Sequence, residues 1–212
     1  MLRSGGSVRG RSAFAYCNTH TLNGLSDILM SASARPERVE ILSAQDLART
    51  VQRLSSQVLE SVDRSEDLLL LGIPTRGVHL AGVLARQLEV LTGHALAKGT
   101  LDPTFHRDDL ERVGTRMVQA TDLPISIEGR DVLLVDDVIF TGRTIRAALE
   151  AIQAWGRPRK VMLLVMVDRG HRELPIQPDF CGRHVPTRRS ETIELRLQDV
   201  DGEEGVYLRQ VQ

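Results

Sequence analysis

The sequence predicts an α/β protein in which helices flank a parallel sheet. Three short, continuous apolar runs are typical of strands buried on both faces: "DLLLLGI" ending at Ile73, "VLLV" at 132–135, and "VMLLVMV" at 161–167. Stretches with helical periodicity separate these runs. Such alternation along a chain builds a parallel sheet that is covered on both sides. Ligands of these sheets bind beside the carboxyl ends of the strands.

The helices can be placed in order from their caps and apolar stripes. Ser43 followed three positions later by Asp46 is an N-cap pattern, and apolar residues then recur at helical spacing over 47–62. A second helix follows "PTRG" and ends at Gly93, and a third follows "TGRT" and ends before Gly156. The stripe predicted for the second helix is formed by Leu80, Leu84, Leu88 and Leu91.

The two ends of the chain differ from this pattern. "TIELRL" and "GVYLRQV" flank the turn-like "DVDGEE", which predicts an antiparallel hairpin. Residues 1–36 carry four arginines against one aspartate, so an organelle transit peptide is one interpretation. A disordered tail, or a start assigned too far upstream of Met30, is the favoured one. We therefore expect a single domain over 37–212.

Bulk composition excludes several classes of protein. Apolar residues at 42% and charged residues at 26% are typical of a globular protein. Aromatic residues at 3% disfavour a protein that stacks single-stranded bases, and a net charge of −1 gives no overall attraction to nucleic acid. Cys17 and Cys181 lie far apart, which favours a reducing compartment and disfavours a zinc site or disulfide framework. With no apolar run of about 18 residues, we expect a cytoplasmic protein without a membrane span.

The stretch "VLLVDDVIFTGRT" at 132–144 carries the chemistry. Asp136 and Asp137 repel each other at the end of a buried strand, so a cation or a group rich in hydroxyls should lie opposite them. Residues 141–144 fall where the next helix begins, and backbone N–H groups there, with two hydroxyls nearby, form a phosphate cradle. Gly142 would let the backbone approach the anion closely. The chain has no Walker A motif.

This string resembles the signature of type I phosphoribosyltransferases. Together with "GIPTRG", "FHRDDL", "VDRGHRELPI" and "VPTRRSE", over roughly residues 39–200, it is similar to the PyrR group. The resemblance implies a type I phosphoribosyltransferase fold, with a small hood and a flexible active-site loop or hairpin. It also implies uracil phosphoribosyltransferase activity, which forms UMP and pyrophosphate from uracil and phosphoribosyl pyrophosphate, and regulation of pyrimidine genes by UMP-dependent RNA attenuation.

The resemblance also implies roles for residues of the loops. The motif "PTRG" would hold pyrophosphate, the acidic pair would hold ribose hydroxyls and stabilise the cation that forms at the sugar, and 141–144 would hold the terminal phosphate. Magnesium is expected on the pyrophosphate, with no metal site of the protein's own. The substrate-binding residues are Thr75, Arg76, Gly77, Arg107, Asp136, Asp137, Val138, Thr141, Gly142, Arg143, Thr144, Asp168 and Arg169, the last two near uracil.

Three of these residues are expected to be catalytic: Asp136, Asp137 and Arg107. Arg107 begins a polar segment, running to about residue 123, that resembles the family's mobile loop, which closes over the substrates. His106, where the family has tyrosine, and Pro103 before it depart from that pattern. His171 has no partner at ligand spacing, so it is predicted to be a hydrogen-bonded structural histidine.

The second activity rests on a basic face of the first helix. In RNA-binding members a threonine, an arginine and a histidine lie there; this chain keeps Arg53, with Arg49 nearby, but has Gln52 and Ser56 at the other two positions. Those changes weaken sequence-specific RNA contact. Two hypotheses stand: an enzyme that also regulates, or an RNA-binding nucleotide sensor with weak or no enzyme activity. The family implies a homodimer or homotetramer, and pyrimidine-operon leader RNA is the candidate macromolecular partner.

Overall fold

The structure is a computed structural model that describes residues 38–108 and 120–210. The predictions for residues 1–36, and for the segment 109–119 of the expected mobile loop, fall outside the described residues. No helix in the described part of the chain is long and apolar enough to cross a membrane.

Helices and strands alternate much as the sequence predicts. In chain order the described residues form β1 (Arg38–Leu42), α1 (Ala44–Ser61), β2 (Leu68–Gly72), α2 (Arg76–Thr92), β3 (Ala97–Thr100), β4 (Asp131–Ile139), α3 (Arg143–Ile152), β5 (Lys160–Asp168), β6 (Phe180–His184), β7 (Glu191–Arg196), α4 (Gln198–Asp201) and β8 (Gly205–Gln210). Single turns of 3₁₀ helix lie at Ser65–Asp67 and Thr104–His106.

The central sheet has five parallel strands in the order β3-β2-β4-β5-β6. Successive side chains of a strand point to opposite faces, and each face has its own core. Alternate residues such as Leu70 and Leu133 pack under α1 and α2, whereas their neighbours Leu71 and Leu134 pack under α3. Both faces are therefore covered, which explains why the three central strands read as unbroken apolar runs.

Two predicted helix boundaries, the start of α1 and the end of α2, are confirmed by their caps. The Ser43 hydroxyl accepts a hydrogen bond from the Asp46 amide at 3.2 Å at the start of α1. Gly93 ends α2 with φ 78°, a left-handed conformation that glycine adopts without a Cβ penalty. The predicted stripe of α2 is wrong at Leu91, which lies in the last turn of the helix and is 44% exposed.

A second, smaller sheet corresponds to the expected hood. Strands β7 and β8 form the predicted antiparallel hairpin, and β1 adds to the other side of β8, giving the order β1-β8-β7. The sequence reasoning missed β1 because its first three residues are exposed and its five residues carry no buried apolar run. Strands β3 and β6, the two edges of the large sheet, were missed for the same reason.

Candidate active site

The three polar loops meet at the carboxyl ends of the central strands of the large sheet, as predicted. Strands β2, β4 and β5 are neighbours, with Gly72 beside Val135 and Ile139 beside Asp168. Because the strands are parallel, their carboxyl ends lie on the same side of the sheet. The loops that follow them there contain "PTRG", "DDVIFTGRT" and "DRGHREL".

The acidic pair lies within the last part of β4. Asp136 is 7% exposed, and its Oδ1 accepts a hydrogen bond from the Asp137 amide at 2.9 Å. As adjacent residues of a strand, the two side chains point to opposite faces of the sheet. Asp136 lines the cavity described next, and Asp137 lies near enough to Arg76 to raise the pKa of that guanidinium, although Asp201 is the larger cause. The two carboxylates therefore lie on opposite faces of β4 at its carboxyl end.

A cavity of about 300 Å³ lies over the loop between β4 and α3. Gly142 occupies the N-cap position with φ 93°, and the Thr141 hydroxyl accepts from the Arg143 amide at 3.4 Å. The first N–H groups of a helix have no acceptor within the helix itself, so a helix N-terminus of this kind is suited to bind an anion. The lining residues are Arg107, Asp136, Val138, Ile139, Phe140, Thr141, Gly142, Arg143, Thr144, Ile145 and Glu173.

Arg107 reaches this loop from the far side of the cavity. Its Nη1 donates to the Thr144 hydroxyl at 2.5 Å, so the structure brings together two predicted site residues that are far apart in sequence. Arg143 is held by two carboxylates, with Nε 3.0 Å from Glu173 and Nη1 2.8 Å from Asp108. Glu173 is a cavity residue that sequence reasoning missed, since "HREL" alone does not indicate its contact with the other loop.

The "PTRG" loop leads directly into α2. Thr75 is exposed at the N-cap position, and Gly77 is buried against β4. A Cβ at position 77 would lie 2.4 Å from the Val135 carbonyl oxygen and 3.1 Å from the Cα of Asp136. The absence of a side chain at Gly77 therefore lets the first turn of α2 touch β4 where the acidic pair begins.

The side chain of Arg76 is bound to the hood. Its Nη1 and Nη2 donate to the two oxygens of Asp201 at 2.5 and 2.9 Å. The hydrogen bonds from Arg76 are the largest cause that lowers the pKa of Asp201 to about 2. Sequence reasoning missed Asp201, because nothing local connects residues 125 positions apart.

The residues expected near uracil have protein partners. Asp168 Oδ2 lies 2.6 Å from Nη2 of Arg172, and its Oδ1 accepts from the Gly170 amide at 2.9 Å. Arg169 is 7% exposed and donates from Nε to the Thr187 hydroxyl at 3.0 Å; burial lowers the pKa of its guanidinium. Neither side chain lines the 300 Å³ cavity. Their contact with uracil stays a prediction.

Two aromatic contacts complete this corner of the site. The guanidinium carbon of Arg169 lies 4.2 Å from the ring centroid of Phe140, whose ring also packs edge-on against His171. The Nε2 of His171 is 2.6 Å from the Thr187 carbonyl oxygen, which confirms the predicted hydrogen-bonded histidine. These contacts fix the segment after β6 against the loop after β5.

The two arginines predicted to bind RNA lie on the exposed face of α1. Arg49 is exposed and lies 3.7 Å from Asp46. Arg53 donates from Nη2 to the Gly182 carbonyl at 2.7 Å, which ties it to β6. Gln52 and Ser56 are exposed beside them.

The protein groups around the cavity fit a magnesium ion that arrives with its substrate. Among the described residues, no three His, Cys, Asp or Glu side chains converge to form a metal site. Magnesium prefers oxygen ligands and commonly combines one or two carboxylates with substrate phosphates and water. The carboxylates at the end of β4 are suited to that arrangement.

The five-stranded parallel sheet and its antiparallel hood form the fold of the phosphoribosyltransferase class. A family model described as "Phosphoribosyl transferase domain" matches residues 38–190. A hypoxanthine phosphoribosyltransferase from Staphylococcus aureus has the same fold, with a TM-score of 0.61, 17% identity, and coverage of 82% of this chain and 92% of that one.

Two curated relatives are more similar in sequence. The "Bifunctional protein PyrR" of Microcystis aeruginosa is 51% identical over 82% of this chain and 98% of its own length. The protein of that name from Thermosynechococcus vestitus is 55% identical over 81% of this chain and 94% of its own length. The chain belongs to the phosphoribosyltransferase family and, within it, to the PyrR group, which confirms the predicted resemblance.

Proposed function

We propose that this chain is a uracil phosphoribosyltransferase, which forms UMP and pyrophosphate from uracil and phosphoribosyl pyrophosphate. The observation that carries the proposal is the cavity in which Asp136, the 141–144 loop and Arg107 converge. A carboxylate beside an anion cradle suits a ligand that carries both hydroxyls and a phosphate, and ribose 5-phosphate is such a ligand.

The reaction needs charge stabilisation and positioning. Uracil N1 attacks the anomeric carbon as pyrophosphate leaves, through a transition state with oxocarbenium character. Asp136 and Asp137 hold the ribose hydroxyls and lower the energy of the developing cation. The amides and hydroxyls of 141–144 hold the 5-phosphate, which fixes the sugar relative to the base. Val138 lines the cavity wall, and we propose that it packs beside the sugar.

The pyrophosphate group lies on the other side of β4. The backbone amides at the start of α2, from the N-cap Thr75 to Gly77, face the pyrophosphate. Magnesium, when bound with the substrate, would neutralise part of the pyrophosphate charge. Arg107 closes the cavity over the substrates and excludes water, which would otherwise intercept the activated sugar. Asp168 and Arg169 are the proposed neighbours of uracil, directly or through the backbone that they hold.

Initial rates of UMP formation test this proposal. With saturating substrates and magnesium, we expect turnover in the wild type and a loss on the order of 100-fold or more in Asp137→Asn, because the substitution removes a charge that stabilises the transition state. Asp63→Asn is the matched control, since Asp63 is exposed next to the end of α1, away from the cavity. Wild type that binds nucleotide without turnover would favour the alternative, a nucleotide-sensing regulator.

We also propose that the chain binds pyrimidine-operon leader RNA in a UMP-dependent manner. The name "Bifunctional protein PyrR" of the relatives and the exposed Arg49 and Arg53 on α1 support this second function. The double variant Arg49→Glu/Arg53→Glu should abolish RNA retention and leave UMP formation unchanged. The control is Arg157→Glu/Lys160→Glu, which makes the same change in charge at two exposed positions beside the start of β5. An equal loss of RNA retention in both double variants would show that the effect comes from overall charge and not from a specific RNA site on α1.

The proposed assembly is a homodimer or homotetramer in the cytoplasm. Light scattering coupled to size-exclusion chromatography would give the mass relative to the 23.5 kDa chain. A monomer at all concentrations would contradict this part of the proposal.

A further inference from the structure

A two-pronged ion pair joins a proposed substrate loop to Asp201, a residue of the short helix before β8 that has no assigned role. Arg76, the first residue of α2, meets Asp201, the last residue of α4, in a two-pronged ion pair with distances of 2.5 and 2.9 Å. Paired, charge-assisted hydrogen bonds of this geometry are among the strongest in proteins and define orientation as well as energy.

Asp201 is itself held rigidly. Its Oδ2 also accepts from the Leu197 amide at 2.9 Å, and its Oδ1 lies 3.5 Å from Arg196. Arg196 then lies 3.8 Å from Glu203, whose carboxylate holds Arg38 of β1 at 2.6 and 2.7 Å. The Asp201 side chain is 7% exposed. A continuous set of ion pairs therefore runs from the edge of the hood to the start of α2.

This arrangement leaves the backbone of the loop to face a ligand. Both Nη atoms of Arg76 are engaged with Asp201, whereas the first N–H groups of α2 have no partner within the helix. The orientation of those groups depends on how the first turn of α2 is held. Gly77 holds it against β4 from one side, and Asp201 holds Arg76 from the other.

We propose that Asp201 is a positioning residue for the pyrophosphate group: it fixes Arg76, and so orients the amides at the start of α2 toward that group. The inference rests on the proposed function and adds to it a residue outside the sequence motifs of the active site. In the alternative arrangement, Asp201 competes with pyrophosphate for Arg76, and the change in pyrophosphate affinity on removal of Asp201 would have the opposite sign. In that case removal of the carboxylate would strengthen binding.

Asp201→Asn distinguishes these arrangements. We expect the Kd for magnesium pyrophosphate, measured by calorimetry, and the KM for phosphoribosyl pyrophosphate to rise about 10-fold. The KM for uracil and kcat should change by less than about 3-fold, because the sugar and base contacts are intact. Asp199→Asn is the matched control on the same turn: Asp199 is 76% exposed and lies 3.4 Å from Arg86, away from Arg76. It should leave all four values unchanged.

Unchanged or tighter pyrophosphate binding in Asp201→Asn would overturn the inference, as would an equal effect of Asp199→Asn. If Asp201→Asn does not fold, Arg76→Lys takes its place, since lysine keeps the charge but loses the two-pronged geometry. The same rise in the pyrophosphate Kd is expected, and an unchanged Kd would refute the proposal. Wild type that binds pyrophosphate but makes no UMP would contradict the proposed function alone, since calorimetry reports the positioning effect without turnover.

Discussion

At some positions of the site, the backbone conformation determines which residue is suitable as much as the chemistry of the side chain does. Gly142 shows this, because it adopts φ 93° at the N-cap of α3 while the nearest atoms to a Cβ, on Leu174 and Ile176, would be 3.6 Å away. Space is therefore available for a methyl group, and it is the left-handed conformation that excludes other residues.

Gly142→Ala should cost about 1–2 kcal/mol of unfolding free energy and raise the KM for phosphoribosyl pyrophosphate, since the cradle must relax to relieve the strain. The matched control is Gly93→Ala, which has φ 78° and no atom near its Cβ, at the far end of α2. It should lose similar stability in urea denaturation with unchanged KM. An unchanged KM in both variants would contradict the role assigned to the loop backbone.

Asp201 makes a prediction about acid stability. Its pKa is lowered to about 2 in the folded protein, chiefly by hydrogen bonds from Arg76. A carboxyl with a depressed folded-state pKa stabilises the fold fully above its unfolded pKa of about 4, and the stabilisation is lost as pH falls toward 2. We expect wild type to lose on the order of 2 kcal/mol more than Asp201→Asn between pH 5 and 2 in urea titrations. If the unfolding free energies of wild type and Asp201→Asn fell equally between pH 5 and 2, this prediction would be contradicted.

At the scale of elements, the site depends on the close contact of α2 with β4. Gly77 is the point of contact, and a Cβ there would meet backbone atoms of Val135 and Asp136 that cannot move independently of the sheet. Gly77→Ala should therefore displace the start of α2, costing about 1–3 kcal/mol of stability and a large part of the activity. Gly82→Ala is the control in the same helix; it meets no atom within 4 Å and should be neutral or stabilising. Full activity in Gly77→Ala would show that the activity does not depend on the close contact of α2 with β4.

The elements also show how far sequence alone can predict this fold. Helices α1, α2 and α3 follow from apolar periodicity. Strands β2, β4 and β5 follow from unbroken apolar runs, because both faces of the central sheet are buried. Edge strands β1, β3 and β6 are short and partly exposed, so they carry no comparable pattern. The cradle at 141–144 was predictable from one continuous stretch. The pair Arg76–Asp201 was not, since it exists only after the hood has folded onto the sheet.

At the scale of the whole molecule, the large sheet and the hood together form the proposed site. The large sheet supplies the carboxyl edges of β2, β4 and β5, and the hood fixes the start of α2 through Asp201. The cavity over 141–144 and the N-terminus of α2 lie on either side of the acidic pair in β4. This arrangement accounts for a substrate that carries phosphate groups at both ends of a ribose.

A crystal structure with UMP tests the central claim most directly. The account predicts that the phosphate lies within hydrogen-bonding distance of the amides and hydroxyls of 141–144, that the ribose hydroxyls lie on the acidic pair, and that uracil lies toward the loop after β5. Phosphate bound elsewhere, or ribose directed away from Asp136 and Asp137, would contradict the assignment of this cavity as the active site.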